Sequence, residues 1–308
     1  MKIIFMGSAA FAVPSLNALI ESGHEVLSVV TQCDKPAGRG LKVHACPVAT
    51  FAQSNDIPFF QPTKLKEDLA FAHFSGLKPD LIVVVAYGKF IPDDILSLPK
   101  FGCVNVHASL LPKYRGAAPI NRAVVNGEVK TGVTTMRLNE KMDAGDILLQ
   151  EEVEIGAAET AIELHDRLAI IGANLLIETI QGIETKAVKP VPQNESAATY
   201  APLLKKEDGL IDWKKSAREI FNLIRGMQPW PVAYTHLDGK MLKIFGAKTF
   251  DEKRGEPPGT ILEASKNLAV ATGSGTLYLT DVQLEGKKRM TVDTFLRGHK
   301  IKVGTILK

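Results

Sequence analysis

Residues 81–85 read LIVVV, an apolar run of strand length in which no polar residue alternates. A strand of that kind has no face to give to water and must be covered on both sides. Residues 2–7 (KIIFMG) and 25–30 (EVLSVV) have nearly the same character. Helix-period segments separate these runs. In AFAVPSLNALIESG, residues Phe11, Leu16, Leu19 and Ile20 fall on one helical face and Gly23 supplies the stop. PVATFAQSN and PDDILSLP read as further helices, then CVNVHAS as a strand and APINRAVVNG as a helix. Doubly covered strands interleaved with helices define an α/β chain with a Rossmann-like, doubly wound, mostly parallel sheet. TGVTTMRLN and GDILLQEEVEI extend that sheet, and the long amphipathic segment TAIELHDRLAIIGANLLIETIQGIE closes the domain, set at residues 1–188.

The pattern then changes. Residues 189–206 are polar and proline-bearing and read as a linker. Residues 207–308 begin with a helical segment, SAREIFNLIRGMQ, and continue as short strands. Asp238-Gly239 marks a hairpin between PVAYTHL and KMLKIFGAKTF. GTILEA, LAVATGSGTLYLTDVQLEG and KVGTIL complete a small β-barrel. The second part holds 17 basic and 12 acidic residues, a net of +5, whereas the remainder holds 20 and 22, a net of −2. That asymmetry suits a polyanionic partner, and a solvated surface with a chance imbalance would produce it too.

Several classes drop out. The first strand–helix turn reads GSAAFAV, with Gly7 alone, so the G-x-G-x-x-G cradle of a dinucleotide site is missing, as is the P-loop pattern. Cys33, Cys46 and Cys103 are odd in number and show no CxxC spacing, which indicates neither a disulfide framework nor a zinc site. No apolar run approaches the ~18 residues of a membrane span. The start MKIIFMG enters a strand directly, without the marks of a signal peptide, so a cytoplasmic location is expected and no membrane association.

The chemistry concentrates in CVNVHASLLPKYRGAAP, residues 103–119. Residues i and i+2 of a strand point to one face, so Val104 and Val106 share one side while Asn105 and His107 share the other. An amide and an imidazole side by side at a strand's carboxyl end can fasten the loops around them. They can equally converge on a carbonyl oxygen and stabilise the oxyanion formed under nucleophilic attack. No G-x-S-x-G motif accompanies them, so the nucleophile would belong to the substrate. A base or proton shuttle is still needed, and KMDAGDIL offers Asp143 and Asp146 in a tight turn. Asp is common in turns for local reasons, which suits Asp146 well.

NVHASLLPKYRGAAPI, TGVTTM, MDAGDIL and AYGKFIP, in this order and spacing, resemble the folate-dependent formyltransferases, and the resemblance covers essentially the whole chain. It implies catalytic roles for Asn105, His107 and Asp143. It also implies a folate-binding region at Ser109, Leu110, Leu111 and Pro112 together with Val84, Val85, Ala86, Tyr87 and Gly88. TQCDKPAGRGLK, residues 31–42, resembles the basic loop by which the tRNA-acting members enter an acceptor stem, with Arg39 at its key arginine. An ordinary surface loop is the alternative. Lys35 and Lys42 share its charge, Lys205 and Lys206 stand near the end of the linker, and residues 207–308 resemble an OB-like barrel that rests on tRNA. The implied reaction moves the formyl group of 10-formyltetrahydrofolate to the α-amine of methionyl-initiator tRNA, with no metal and no stable protein partner. A formyltransferase for a small amine such as a sugar nucleotide, or a catalytically silent RNA-binding protein, are the competing expectations. Two departures stand out: Gly7-Ser8-Ala9 replaces the usual G-T-P, and Cys33 replaces a frequent proline.

Overall fold

The structure is a computed structural model that describes residues 1–37, 42–251 and 255–308. The apolar runs become the strands of one seven-stranded sheet. These are β1 (Lys2–Gly7), β2 (Glu25–Val30), β5 (Phe59–Phe60), β6 (Leu81–Val85), β7 (Cys103–His107), β8 (Lys130–Arg137) and β9 (Ile147–Glu154). A short separate hairpin pairs β3 (Lys35–Ala37) with β4 (Lys42–His44). The sheet order is β5-β2-β1-β6-β7-β8-β9, parallel through β7 and antiparallel for the last two strands. Strand order reverses between β1 and β6, which opens a crevice at their carboxyl ends, where ligands of such sheets bind. Every residue of β6 and β7 is buried, as an unbroken apolar run requires.

The connecting helices are α1 (Val13–Glu21), α2 (Pro47–Ser54), α3 (Asp68–Leu77), α4 (Asp93–Leu96) and α5 (Pro119–Val125), followed by α6 (Ala161–Glu184). The helix expected from Ala10 starts as a 3-10 turn, Ala10–Ala12, before α1, and Gly23 ends it at φ +76°. α6 packs on the face carrying Val106 and Val133, since a side chain at Gly172 would meet both valines. Asn105 and His107 therefore lie on the opposite face. A buried hydrogen bond of 2.7 Å between Thr135 and Thr179 ties α6 to β8.

By internal contacts the chain divides into residues 1–119, 130–154 and 165–202 as one unit, and 120–129, 155–164 and 203–308 as the other. In the second unit, α7 (Ala217–Gly226) precedes β10 (Ala233–Leu237), β11 (Lys240–Phe250), β12 (Ile261–Ala264), β13 (Leu268–Ala271), β14 (Thr276–Leu284), β15 (Met290–Thr291) and α8 (Val292–Gly298). The strands form an antiparallel sheet, β10-β11-β14-β13-β12, with β15 added on β14. Asp238 and Gly239 both take positive φ, +49° and +77°, as a two-residue hairpin turn requires. KVGTIL does not form the expected strand. Its residues make an isolated bridge, Thr260 to Ile306, and the tail instead stitches the two sheet edges together. Ile261 N–H donates to Thr305 O at 2.8 Å and Leu307 N–H to Gly259 O at 2.9 Å on one side; His236 N–H donates to Lys308 O at 2.7 Å on the other. Among the described residues, this irregular segment and not a regular strand makes the hydrogen bonds that link the start of β12 to β10.

Candidate active site

The site grows from β7. In its register with β6, Asn105 stands opposite Val84, and against β8 His107 stands opposite Thr134. The segment after β6 and the segment after His107 thus leave the sheet side by side. Ala86 (φ +46°) and Gly88 (φ +74°) bend the first of these outward and are exposed, while Val85 and Tyr87 turn into the interior. Ser109 through Pro112 form a tight loop braced from within. Ser109 Oγ donates to Lys113 O at 2.6 Å, Leu111 N–H donates to Thr134 Oγ1 at 3.1 Å, and Gln150 Nε2 donates to Leu111 O at 2.9 Å.

Asp143 is brought to this face by the β8–β9 turn. Its Oδ2 lies 3.7 Å from His107 Nδ1 and accepts the Gly116 N–H at 2.7 Å. The turn is close-packed, for a side chain at Gly145 would overlap the Arg137 carbonyl. Asp146 serves that turn with its own carbonyl, which accepts the Arg137 N–H at 2.9 Å.

His107 differs in detail from the simple picture of two free donors. Its Nε2 is 2.9 Å from Tyr114 O, and a carbonyl only accepts, so Nε2 carries the proton and is already engaged. The ring edge left for chemistry is Nδ1, turned toward Asp143. The Asn105 carboxamide, 9% exposed, finds no hydrogen-bond partner among the described residues. Its amide atoms are nevertheless not among the fully buried unpartnered ones, so they keep a solvent-accessible edge that a ligand could take. Cys103, two residues earlier, is not a hidden nucleophile: burial pushes its thiol up to about 12.

The crevice at the switch point is held by a separate polar set. Ser8 Oγ accepts the Gln32 N–H at 3.0 Å, Gln32 Nε2 donates to Tyr87 O at 2.6 Å, and Gln61 Nε2 donates to Gln32 O at 3.0 Å. Ser8 therefore has a defined task in the altered first turn. Cys33 has one too, donating its Sγ–H to Gln61 O at 3.4 Å. The Tyr87 hydroxyl is buried without a partner among the described residues, and burial followed by the nearby Cys33 pushes its pKa up to about 12.

Sequence reasoning missed a third layer, Arg115 with Gln193 and Glu195. Arg115, 2% exposed, donates to both carboxylate oxygens of Glu195 at 2.8 and 2.9 Å and to Gln193 Oε1 at 2.8 and 3.1 Å. That pairing holds the Glu195 carboxyl below the usual carboxylate range. Their separation of about 80 residues along the chain hides the link, and the only local signal was an arginine directly before Gly116. Residues 189–202 of the stretch read as a linker fall in the first unit and residues 203–206 in the second, and Arg115 forms a parallel bridge with Tyr200.

Of the basic residues, Lys205 and Lys206 are exposed. Lys35 and Lys42 lie in β3 and β4, in register with His44 and Ala37. Arg39 lies outside the described residues. Among the described residues no group of three or more His, Cys, Asp or Glu is placed to hold a metal ion, and no helix is long and apolar enough to cross a membrane.

Comparison with known proteins gives the family of the chain. Residues 1–180 match the family described as formyl transferase, and residues 203–300 match the formyl transferase C-terminal domain. A methionyl-tRNA formyltransferase of Alkaliphilus oremlandii is 53% identical over 308 residues, covering 100% of this chain and 99% of that protein. One of Acetivibrio thermocellus is 48% identical over 309 residues, with coverage of 100% and 99%. Among solved structures, an N-formyltransferase from Helicobacter canadensis in complex with folinic acid and dTDP-3-aminofucose superposes with a TM-score of 0.70 at 20% identity, covering 94% of this chain and 100% of that one. HypX from Aquifex aeolicus in complex with tetrahydrofolic acid gives 0.65 at 20% identity, with coverage of 96% and 47%. At that identity the two structures speak for the fold alone.

Proposed function

The chain belongs to the formyl transferase family, among the methionyl-tRNA formyltransferases, and on that premise we propose that Asn105, His107 and Asp143 carry out the transfer. The reaction takes the formyl group of 10-formyltetrahydrofolate to the α-amine of methionyl-initiator tRNA. The observation that carries the site assignment is the unpartnered Asn105 carboxamide, on the same face as a His107 Nδ1 edge 3.7 Å from Asp143.

The folate co-substrate supplies an already activated carbonyl, and the residues present fit it. Ala86 and Gly88 follow β6 and Ser109 to Pro112 follow β7, strands that pair at Val84 and Asn105, and the folate is assigned to the space beside these two segments. As the amine attacks, Asn105 Nδ2 donates to the carbonyl oxygen while it gains charge. His107, protonated at Nδ1, offers the second donor, and the Asp143 carboxylate balances that charge. Asp143, directly or through a water, takes the proton shed by the amine and returns it to the departing folate nitrogen. Much of the rate comes from holding two substrates in register. Cys103 remains protonated throughout, so no covalent enzyme intermediate forms there.

Arg39, Lys35 and Lys42 in the basic stretch of residues 31–42, with the net +5 of residues 207–308, supply the contact with tRNA, to which exposed Lys205 and Lys206 add. The test is substrate choice. The protein is expected to release tetrahydrofolate when given charged initiator methionyl-tRNA and not when given an amino-sugar nucleotide. Turnover with the sugar nucleotide and none with the tRNA would refute the reading.

A further inference from the structure

Asp143 sits at φ +48°, in the left-handed region that residues with a side chain seldom enter. Something must hold it there. Its carboxylate has the Gly116 N–H, and its backbone has Gln193. Gln193 Nε2 donates to Asp143 O at 2.8 Å and to Gly145 O at 2.7 Å, spanning the turn that contains the acid. The orientation of this amide is not arbitrary. Arg115 has only donors, so the oxygen of Gln193 must face it and the NH₂ must face the two carbonyls. Arg115 is fixed in turn by its two bonds to Glu195.

The same segment supports the histidine. Tyr114 N–H donates to Thr199 Oγ1 at 2.9 Å, Arg115 N–H donates to Thr199 O at 2.9 Å, and Ala201 N–H donates to Arg115 O at 2.7 Å. These bonds set the Tyr114 carbonyl, which accepts from His107 Nε2. We infer that Gln193 is a positioning residue for formyl transfer. Through its two donor bonds it fixes the Asp143 turn relative to His107, and residues 193–201 are a working part of the active site and not a passive connection. The inference rests on the roles proposed above for Asn105, His107 and Asp143.

Gln193→Glu separates the two halves of the contact. A carboxylate still accepts from Arg115, yet it has no proton for the carbonyls of Asp143 and Gly145. Activity is expected to fall in kcat by about 10²-fold, the scale of a misplacement near 1 Å. KM for both substrates should stay at wild-type values. Because Gln193 acts through Asp143, adding Gln193→Glu to Asp143→Asn should cause no further loss, a non-additivity typical of residues that act as a unit. Wild-type kcat in Gln193→Glu, or losses that multiply in the double variant, would overturn the inference. If Gln193→Glu fails to fold, Gln193→Ala is read in the same cycle against Asp143→Asn, with the same two outcomes. An active Gln193→Glu beside an inactive Asn105→Ala refutes only the role of Gln193; a fully active Asn105→Ala refutes the site itself.

Discussion

Three neighbours on β7 have different fates set by their surroundings. Cys103 is buried among Ile4, Met6 and Ile82, and its raised thiol is almost wholly protonated at neutral pH. Cys33 and Cys46 are half-buried. A maleimide at pH 8 is therefore expected to label Cys33 and Cys46 in the native protein and Cys103 only after denaturation, as peptide mapping would show. Rapid native labelling of Cys103 would mean that β7 is open. The alternation that placed Asn105 and His107 together was readable in five residues. The state of the imidazole was not, because its partner is a backbone carbonyl at Tyr114, a residue at φ +60° that no local pattern announces.

At the scale of elements, the glycine in DAGD has a structural reason. A methyl group at Gly145 would collide with the Arg137 carbonyl, so Gly145→Ala must push the β8–β9 turn, and Asp143 with it, off the sheet. Formyl transfer is expected to drop by at least about tenfold, since small displacements of a positioned group are costly; wild-type turnover would show that the turn yields without moving Asp143. α7 offers a cleaner stability test. Ser216 Oγ accepts the Glu219 N–H at 3.2 Å, and Glu219 Oε2 accepts from Ser216 N at 2.9 Å and from its hydroxyl at 2.7 Å. Those bonds to Ser216 hold the Glu219 carboxyl below its ordinary range. A depressed carboxylate contributes stability above its unfolded value and loses it as the pH falls through the folded one. Ser216→Ala should thus cost ~1 kcal/mol at pH 7 by denaturant titration, with the gap narrowing in acid. A gap that widens in acid would contradict the cap. The parallel strands, the long helix and the Asp238-Gly239 hairpin were legible because each carries its own periodicity or turn chemistry. α8 and the tail were not. Residues 304–308 make their hydrogen bonds to β10 and to the start of β12, partners distant in sequence, and KVGTIL reads as a strand although the edges it joins leave it no regular ladder.

For the whole molecule, charge separates the two substrates. Residues 207–308 carry +5 and the remainder −2, so contact with a polyanion should concentrate on the former. KM for charged tRNA is expected to rise several-fold or more between about 50 and 200 mM salt, because each phosphate contact releases counterions, while KM for the folate changes little. Equal salt responses would remove the electrostatic basis for tRNA binding. In the role proposed for it, Asn105 at the carboxyl end of β7 offers its amide to a carbonyl that the substrate, not the protein, attacks. Asn105→Ala tests that directly. Single-turnover transfer from 10-formyltetrahydrofolate to charged initiator methionyl-tRNA should slow by ~10²–10³-fold in the variant, the usual cost of one oxyanion donor, with an unchanged melting curve. A variant that transfers at the wild-type rate would contradict the assignment of this face as the active site.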